Sequence, residues 1–570
     1  MRSTATRTLS GGKTSGRSFI PWLIGAATAT VFLPVLQCGF VNWDDDGNFL
    51  TNLNYRGLDW RQLRWMFTTF HMGPYQPLSW LTLGLDYSIW GMNPYGYHLS
   101  SLLLHAANGV LFYFVAASIL SLVFSSSHEE SFVFSGAGAA AMLFALHPLR
   151  VESVAWVTER RDVLSGLFFL LTVQFYLRAA TAETPARYQK WLRLTLAVYV
   201  LSLLSKAVAM TMPVVLLALD FYPLRRLGGN GPWFARTEHN QKVWLEKIPF
   251  VVLAVVAGWV ALLGQHASVA VRSLAQTSIL QRMAQASYGL VFYLRKSIVP
   301  AGLSPLYQLP ETFHPLDSPY LASGVVVLGL TVGLIAMRRR WPAGLATWVY
   351  YVAMVLPVSG IVQVGPQMVA DRYSYLSCLG WALLAGGGVV KLRAYWQEHG
   401  WVAAGTTPTL IMLTAIGLST LTWQQIHVWR DSRTLWRHAV TLDPESSIAR
   451  DLLGNALADR GELDEAIKQY QKALQIKPSY ALAHYNLAMT LADRGDLDGA
   501  LGHYEAAVRF DPANANAHNN LAFILTRRGE LDAAIEHYRR ALEIEPEFSL
   551  ARNNLAVTLA MRSKRDQANR

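Results

Sequence analysis

Apolar runs of 16–25 residues, separated by short polar loops, follow one another from about residue 19 to residue 422. Each is long enough, or nearly so, to cross the roughly 30 Å of a bilayer's hydrocarbon. They fall near 19–39, 98–123, 132–147, 163–180, 192–205, 208–224, 248–264, 321–337, 342–360, 374–391 and 401–422, which predicts about eleven membrane spans. The stretch "MAQASYGLVFYLRKSIVP" (283–300) fits either a span or an interfacial segment. Past residue 423 the chain turns polar, charged and rich in Ala and Leu. The pattern predicts an all-α protein. A tail at 1–18 precedes a polytopic membrane module at 19–422; a linker with a degenerate half repeat occupies 423–446, helical repeats 447–562 and a polar tail 563–570.

Charge orients this arrangement. The net charge of +11 comes from Lys and Arg gathered in short loops between spans, the signature of membrane orientation, and it excludes nucleic acid as the partner. Arg2, Arg7, Lys13 and Arg17 put the N-terminus in the cytoplasm. Loops with Arg178, Arg187, Lys190 and Arg193, and with Arg225, Arg226, Arg236, Lys242 and Lys247, then fall inside. Arg338, Arg339 and Arg340 fall inside only if 283–300 does not cross. Eleven spans follow, with the C-terminal repeats outside, in the periplasm if the source is bacterial. The first span lacks a small-x-small cleavage site and reads as an uncleaved anchor. Two cysteines, Cys38 and Cys378, build neither a disulfide framework nor a zinc pattern.

Two polar regions carry pattern of their own. The outer loop at 40–97 holds "LDWRQLRWMFTTF", with Leu58, Leu63, Trp65, Met66 and Phe70 at helical spacing. This is either an amphipathic helix in the headgroup plane or a packed outer cap. In the tail, Pro444, Pro478, Pro512 and Pro546 recur every 34 residues; so do Gly461, Gly495 and Gly529, and Tyr470, Tyr504 and Tyr538. Several markers on one period of 34 define tetratricopeptide (TPR) repeats. Three fill about 447–548, "TLWRHAVTLDP" reads as the second helix of a degenerate repeat, and 549–562 supplies a closing helix. Stacked helix pairs leave a concave groove. Asn486, Asn520 and Asn554 share one position on the first helices, where an amide suits the backbone of an extended peptide.

Charged residues near a bilayer are costly and point to function. On this topology four polar groups converge on the outer face. The first is the triplet Asp44, Asp45 and Asp46 in "FVNWDDDGNFL". The second is "LHPLRVESVAWVTERRDVLSG", with His147, Arg150, Glu152, Glu159, Arg160, Arg161 and Asp162. "LSKAV" contributes Lys206, and "GPQMVADRYSYL" contributes Asp371 and Arg372. A non-catalytic, membrane-anchored TPR scaffold and a transporter are the alternatives to an enzyme. A transporter calls for polar residues at mid-span, whereas these gather at one face.

The order "FVNWDDDGNFLTN", "PYQPLSW…LDYSIWGMNPYGYHL", "HPLRVESVAWVTERRDVLSG", "LLSKAV…LLALDFYPL", "EKIPF", "IVQVGPQMVADRYSYL" and then TPRs resembles the bacterial relatives of the transmembrane and TPR-containing O-mannosyltransferases, within the GT-C glycosyltransferase superfamily. The resemblance covers about 19–562. Gln76 departs from it where His precedes Pro-Leu, and Ala207 where Pro follows Ser-Lys. It implies a GT-C-like module that moves a sugar from a polyprenyl-phosphate carrier to Ser or Thr of exported polypeptides, with no metal and no cofactor beyond this co-substrate. By position Asp44 or Asp45 is the base of an inverting transfer. Arg160, Arg161, Lys206 and Arg372 are the candidates for the phosphate, and His147, Glu152, Asp162 and Asp371 for orienting the site. The TPR groove, with its Asn ladder, holds the acceptor.

Overall fold

The computed structural model describes residues 19–124, 130–227, 237–267, 277–310, 313–361, 365–399 and 406–569. The tail at 1–18, Arg236 and the first residues of the 401–422 run lie outside them. The chain divides into two compact units, Met1–Asp431 and Ser432–Arg570. In the first, α1 (Phe19–Phe32) leads into a segment that holds α2 (Trp60–Thr68) and α3 (Pro77–Trp90). Then come α4 (Pro94–Phe124), α5 (Glu130–Ala145), α6 (Val151–Ala155), α7 (Arg160–Ala180), α8 (Pro185–Ser205) and α9 (Met212–Phe221). They are followed by α10 (Glu238–Leu245), α11 (Ile248–Ala267), α12 (Ile279–Ile298), α13 (Ser318–Ala336) and α14 (Pro342–Val355). The last are α15 (Ser374–Ser377), α16 (Leu379–His399) and α17 (Thr406–Val428). One two-stranded antiparallel ribbon, β1 (Tyr307–Gln308) with β2 (Gln367–Val369), is added to the helices.

Among the described residues five helices are long and apolar enough to cross a membrane: Phe19–Gln37, Pro94–Phe124, Val157–Ala180, Asn240–Gly264 and Ser318–Ala336. Two bent pairs, each turning by 54°, raise the count to seven, and Ala207–Phe221 and Pro342–Val358 are shorter apolar helices. These helices do not establish eleven spans. The 192–205 run is the end of a longer helix that begins with Arg187, Lys190 and Arg193, and 132–147 and 374–391 belong to the bent pairs. The 283–300 stretch lies mostly within α12, which buries Arg282, Gln285 and Lys296.

Close backbone approach joins the helices. A Cβ on Gly136 of α5 would stand 2.6 Å from the Gly386 carbonyl oxygen of α16, the small-residue contact by which membrane helices pack. On α7 and α8, Ser165 and Ser202 hydrogen-bond each other's hydroxyls at 3.1 Å. The 40–97 segment packs a core of Phe49, Tyr55, Met66, Trp80, Leu83 and Tyr97, joined by Val157. The segment is packed on this core, while Trp60 and Phe67 of α2 stay exposed. Cys38 and Cys378 are buried free thiols.

The second unit is the repeat array. It begins with α18 (Ser432–Leu442), the degenerate half repeat, because α17 continues to Val428 rather than ending at 422. Three helix pairs follow: α19 (Ser447–Ala458) with α20 (Leu463–Ile476), α21 (Ala481–Asp493) with α22 (Leu497–Phe510), and α23 (Ala515–Arg527) with α24 (Leu531–Ile544). Helix α25 (Ser549–Ala568) closes the array. Gly461, Gly495 and Gly529 turn each pair with φ of +77°, +93° and +80°, a region that favours glycine. Tyr470, Tyr504 and Tyr538 are buried.

Two histidine pairs share this period. His484 and His503 meet Nδ1 to Nδ1 at 3.0 Å, as do His518 and His537. His484 and His518 donate their Nε2–H to the carbonyls of Pro478 and Pro512, so their Nδ1 atoms accept and the partners donate. The accepting rings of His484 and His518 must therefore be neutral. Burial holds His503, His518 and His537 below the ordinary histidine range, with the paired ring adding to the effect for His503 and His518. Around the second pair Arg540 also lowers His518, while Asp511 raises it and Glu505 and Glu536 raise His537. A depressed folded pKa gives stability that is complete above the unfolded value of about 6.5 and is lost as pH falls. Asp451, pushed up to about 7 by burial, acts in the opposite sense and is common to all variants. The denaturation midpoint of the 432–570 unit, read by circular dichroism, should therefore fall more steeply between pH 7 and 5 than that of His503→Gln/His537→Gln.

Candidate functional site

Three short 3-10 turns place the site: Val157–Glu159 before α7, Ala207–Thr211 after Lys206, and Asp371–Tyr373 before α15. Glu159 stands where they meet, fully buried. It accepts from Arg161 (Nη2, 2.6 Å), from Lys206 (Nζ, 2.8 Å) and from Arg372 (Nε, 3.2 Å). Glu152 takes the Arg372 Nη1 at 2.5 Å and its backbone N–H at 2.7 Å. Asp162 takes Lys206 Nζ at 2.6 Å and the Ser153 hydroxyl at 3.1 Å. Three cations thus face three carboxylates. The Arg372 guanidinium also lies over the Trp156 ring at 5.2 Å, and Trp156 stacks between Trp43 and Trp429. A small cavity of about 20 Å³ opens beside Asp162, Lys206 and Arg372.

The Asp triplet divides into three roles. Asp45 is buried and ties the 40–50 segment to the start of α7. Its Oδ2 accepts from the Val41 N–H (3.0 Å), its Oδ1 from the Thr158 N–H (3.2 Å) and hydroxyl (2.7 Å). Burial pushes its carboxyl up to about 7 against those three donors. Asp46 is exposed and accepts from the Gly47 N–H. Asp44 is half-buried, and its carboxylate accepts no hydrogen bond among the described residues. Desolvation raises its pKa; Arg161 and Arg372 nearby lower it, and Glu159 and Asp46 add to the rise.

Other expected residues lie elsewhere. Arg160 is buried against Asp86 (2.8 Å), Ser101 and the Tyr97 carbonyl. Neighbouring helix residues point about 100° apart, so at the start of α7 Arg161 faces the cluster and Arg160 does not. His147 uses both ring nitrogens: Nδ1 accepts from the Leu149 N–H, and Nε2 donates to the Ser297 carbonyl. That is a cap on the Pro148–Arg150 turn. Asp371 accepts from the Tyr307 hydroxyl at 3.0 Å. The three asparagines reach back one repeat. The Asn486 amide donates to Asp451, Asn520 to Tyr485 and Tyr504, and Asn554 to Asn519. Asn486 and Asn554 each engage one amide N–H inside the solenoid, Asn520 reaches two tyrosine hydroxyls at 3.4 Å, and only Asn486 is buried. Glu159, the hub, stood in the expected charged group without a role, and Thr158, the anchor of Asp45, was not singled out. "TERRD" showed their place in the chain but not which cation each acid meets.

Fold and site together define a class: a multi-helix membrane protein with a buried charge cluster at the helix ends, followed in sequence by a TPR array. TPR-repeat and tetratricopeptide-repeat models match 454–493 and 485–548. The chain is 25% identical over 504 residues to "Protein O-mannosyl-transferase TMTC1" of Homo sapiens, covering 80% of this chain and 54% of that protein. It is 24% identical over 458 residues to "Protein O-mannosyl-transferase Tmtc3" of Drosophila melanogaster, covering 70% and 48%. The chain spans about half the length of the curated relatives it matches. Among solved structures, the crystal structure of MamA aligns at 24% identity over 24% of this chain and 74% of that one, with a TM-score of 0.22. This protein is a relative of the transmembrane and TPR-containing protein O-mannosyltransferases.

The cluster and Asp44 make opposite demands on stability. Removing one partner of a buried charge network costs about 3–5 kcal/mol, so Glu159→Gln, which leaves three cations crowded, should sharply lower the melting temperature of the detergent-solubilised chain. Asp44→Asn breaks no bond and should melt with the wild type in the same assay.

Proposed function

We propose that the chain is a membrane glycosyltransferase. It moves a sugar, mannose by its kinship, from a polyprenyl-phosphate carrier to a Ser or Thr hydroxyl of an exported polypeptide. The observation that carries this reading is a free, half-buried carboxylate, Asp44, beside cations that retain unused donors. An arginine has five N–H donors and a lysine three. Glu159 and Glu152 occupy Nε and Nη2 of Arg161 and Nη1 and Nε of Arg372, and Glu159 and Asp162 occupy two donors of Lys206. The carboxylates therefore aim the cations and leave Nη1 of Arg161, Nη2 of Arg372 and one N–H of Lys206 for a phosphate.

In the reaction, Asp44 takes the proton of the acceptor hydroxyl as its oxygen attacks the anomeric carbon. The carbon–oxygen bond to phosphate breaks, configuration inverts, and the electron pair leaves on the polyprenyl phosphate, where Arg161, Lys206 and Arg372 stabilise it. No metal and no cofactor enters. The TPR array holds the acceptor polypeptide, with the partly buried Asn520 and Asn554 of the ladder as candidate contacts. The N-terminus lies in the cytoplasm and the repeats outside, at the inner membrane if the source is bacterial. A non-catalytic scaffold is favoured by one observation: every cation of the cluster already has a carboxylate, which a purely structural network also requires.

Transfer decides between them. With a polyprenyl-phosphate sugar and a Ser/Thr peptide, Asp44→Asn should lower turnover by roughly 10²–10⁴-fold while the chain still inserts; turnover at the wild-type rate would remove Asp44 as base. The base must be deprotonated, and its pKa is raised, so the acid limb of the rate profile should lie above about pH 4. Arg161→Gln, which removes a charge that lowers that pKa, should move the limb higher.

Topology has its own test. A reporter active only in the cytoplasm, fused after residue 562, should be silent. Activity there would put the repeats inside the cell and separate them from exported acceptors.

A further inference from the structure

A cavity of about 440 Å³ lies apart from the charge cluster. It lies among α4, α7, α9, α14 and α16, with walls that include Phe112, Val173, Leu219, Ala346 and Leu383. Connectivity places its mouth at the far ends of the helices that build the cluster. Helix α9 starts beyond Lys206 and reaches the cavity at Leu219 and Tyr222. Helix α16 follows Arg372 and reaches it at Gly387, Gly388 and Lys391. Helix α14 runs the other way, from Arg340 and Trp341 at the mouth toward Val358 beside the cluster. Thirteen residues from Leu379 to Lys391 at 1.5 Å each span roughly 20 Å, so the mouth and the cluster belong to opposite faces of the membrane unit.

The mouth is cationic. Arg340 and Lys391 line it, both are exposed, and neither has an ion-pair partner among the described residues. Arg338 and Arg339 stand next to them on the same turn, also exposed. This contrasts with the cluster, where every cation meets a carboxylate. The depth of the cavity is apolar, and small residues open it: a Cβ on Gly388 would meet no atom within 4 Å.

An apolar cavity within the size range of ligand sites, capped by unpaired cations at the headgroup level of one leaflet, has the chemistry of an anionic lipid. We infer that it binds the acyl chains of an anionic phospholipid from the leaflet on the Arg340 side, with the phosphate between Arg340 and Lys391. The tail of a carrier whose phosphate sits at the Glu159 cluster would instead bring an uncharged end to this mouth, where two cations would gain nothing. The lipid site is thus separate from the proposed donor site and stands whether or not the chain transfers sugar.

The test uses the full chain in mild detergent, stripped of lipid and titrated with dioleoyl phosphatidylglycerol or dioleoyl phosphatidylcholine, with binding read by native mass spectrometry. The wild type should take up one phosphatidylglycerol in preference to phosphatidylcholine, by on the order of tenfold or more for two cations at the surface. Arg340→Gln/Lys391→Gln should erase that preference. Gly388→Leu fills the cavity without a Cβ clash and should block both lipids; if it does not yield a monodisperse chain, Ala346→Leu probes the same space from α14. Equal binding of the two lipids by the wild type overturns the inference. So does unchanged phosphatidylglycerol uptake by the filled variant, or recovery from the untreated chain of polyprenyl phosphate in place of a phospholipid. Loss of sugar transfer in the wild type would refute the proposed function and leave these readings untouched.

Discussion

A carboxylate buried without water must be matched by cations, and Glu159 is matched by three. Moving such charges out of water costs several kcal/mol each unless the geometry returns it. That requirement fixes the ends of the surrounding helices. Arg161 is two residues away, but Lys206 closes the α7–α8 pair and Arg372 opens the segment leading into α16. Glu152 and Asp162 complete the charge balance and secure α6 and α7 to the same point. The three 3-10 turns at 157–159, 207–211 and 371–373 are where straight helices give way so that these side chains can meet.

A second network fixes α7 near its other end. Asp220 and Glu246 face Arg226 and Lys247, and Tyr176 donates into the group. Glu159 and Tyr176 are seventeen positions apart, about 25 Å along a helix. Between them α7 meets its neighbours through apolar contacts, the Ser165–Ser202 pair and two hydrogen bonds with α4, Asn108 to the Val163 carbonyl and Gln174 to Ser118. Charge at both ends and apolar packing between is the distribution a bilayer enforces, since unpaired polar groups at its centre find no water.

Much of this was legible in the sequence, for local reasons. The 34-residue period identified the repeats because each repeat is one self-contained helix pair, and the glycines at 461, 495 and 529 mark turns that need positive φ. The convergence of the 147–162, 206 and 371–372 segments followed from charge and topology. What did not follow was phase and pairing. Arg160 and Arg161 are equivalent in composition, and only the start of α7 at Arg160 decides which faces the cluster. The asparagine period showed three equivalent positions; it could not show that each amide reaches back a repeat. The bent helices at 145–148 and 377–379 read as plain spans because a kink leaves hydropathy unchanged.

The adjacent aspartates show how one short segment meets conflicting demands. In the proposed reaction the base must be available, so it cannot be saturated with hydrogen bonds; it must also be held in place, and a carboxylate without partners holds nothing. Asp45 resolves the conflict by taking the positional role. Its two oxygens pin the segment to Val41 and Thr158, and the Thr158 hydroxyl is itself set by Asn48. With its neighbour fixed, Asp44 stays within the field of Arg161 and Arg372, and its carboxylate accepts no hydrogen bond among the described residues. Asp46 faces solvent and bonds to the Gly47 amide, so the third charge is screened by water instead of being buried with the other two. Three like charges in a row are tolerable here because only one of them is both buried and anchored, and only one is left free to take a proton.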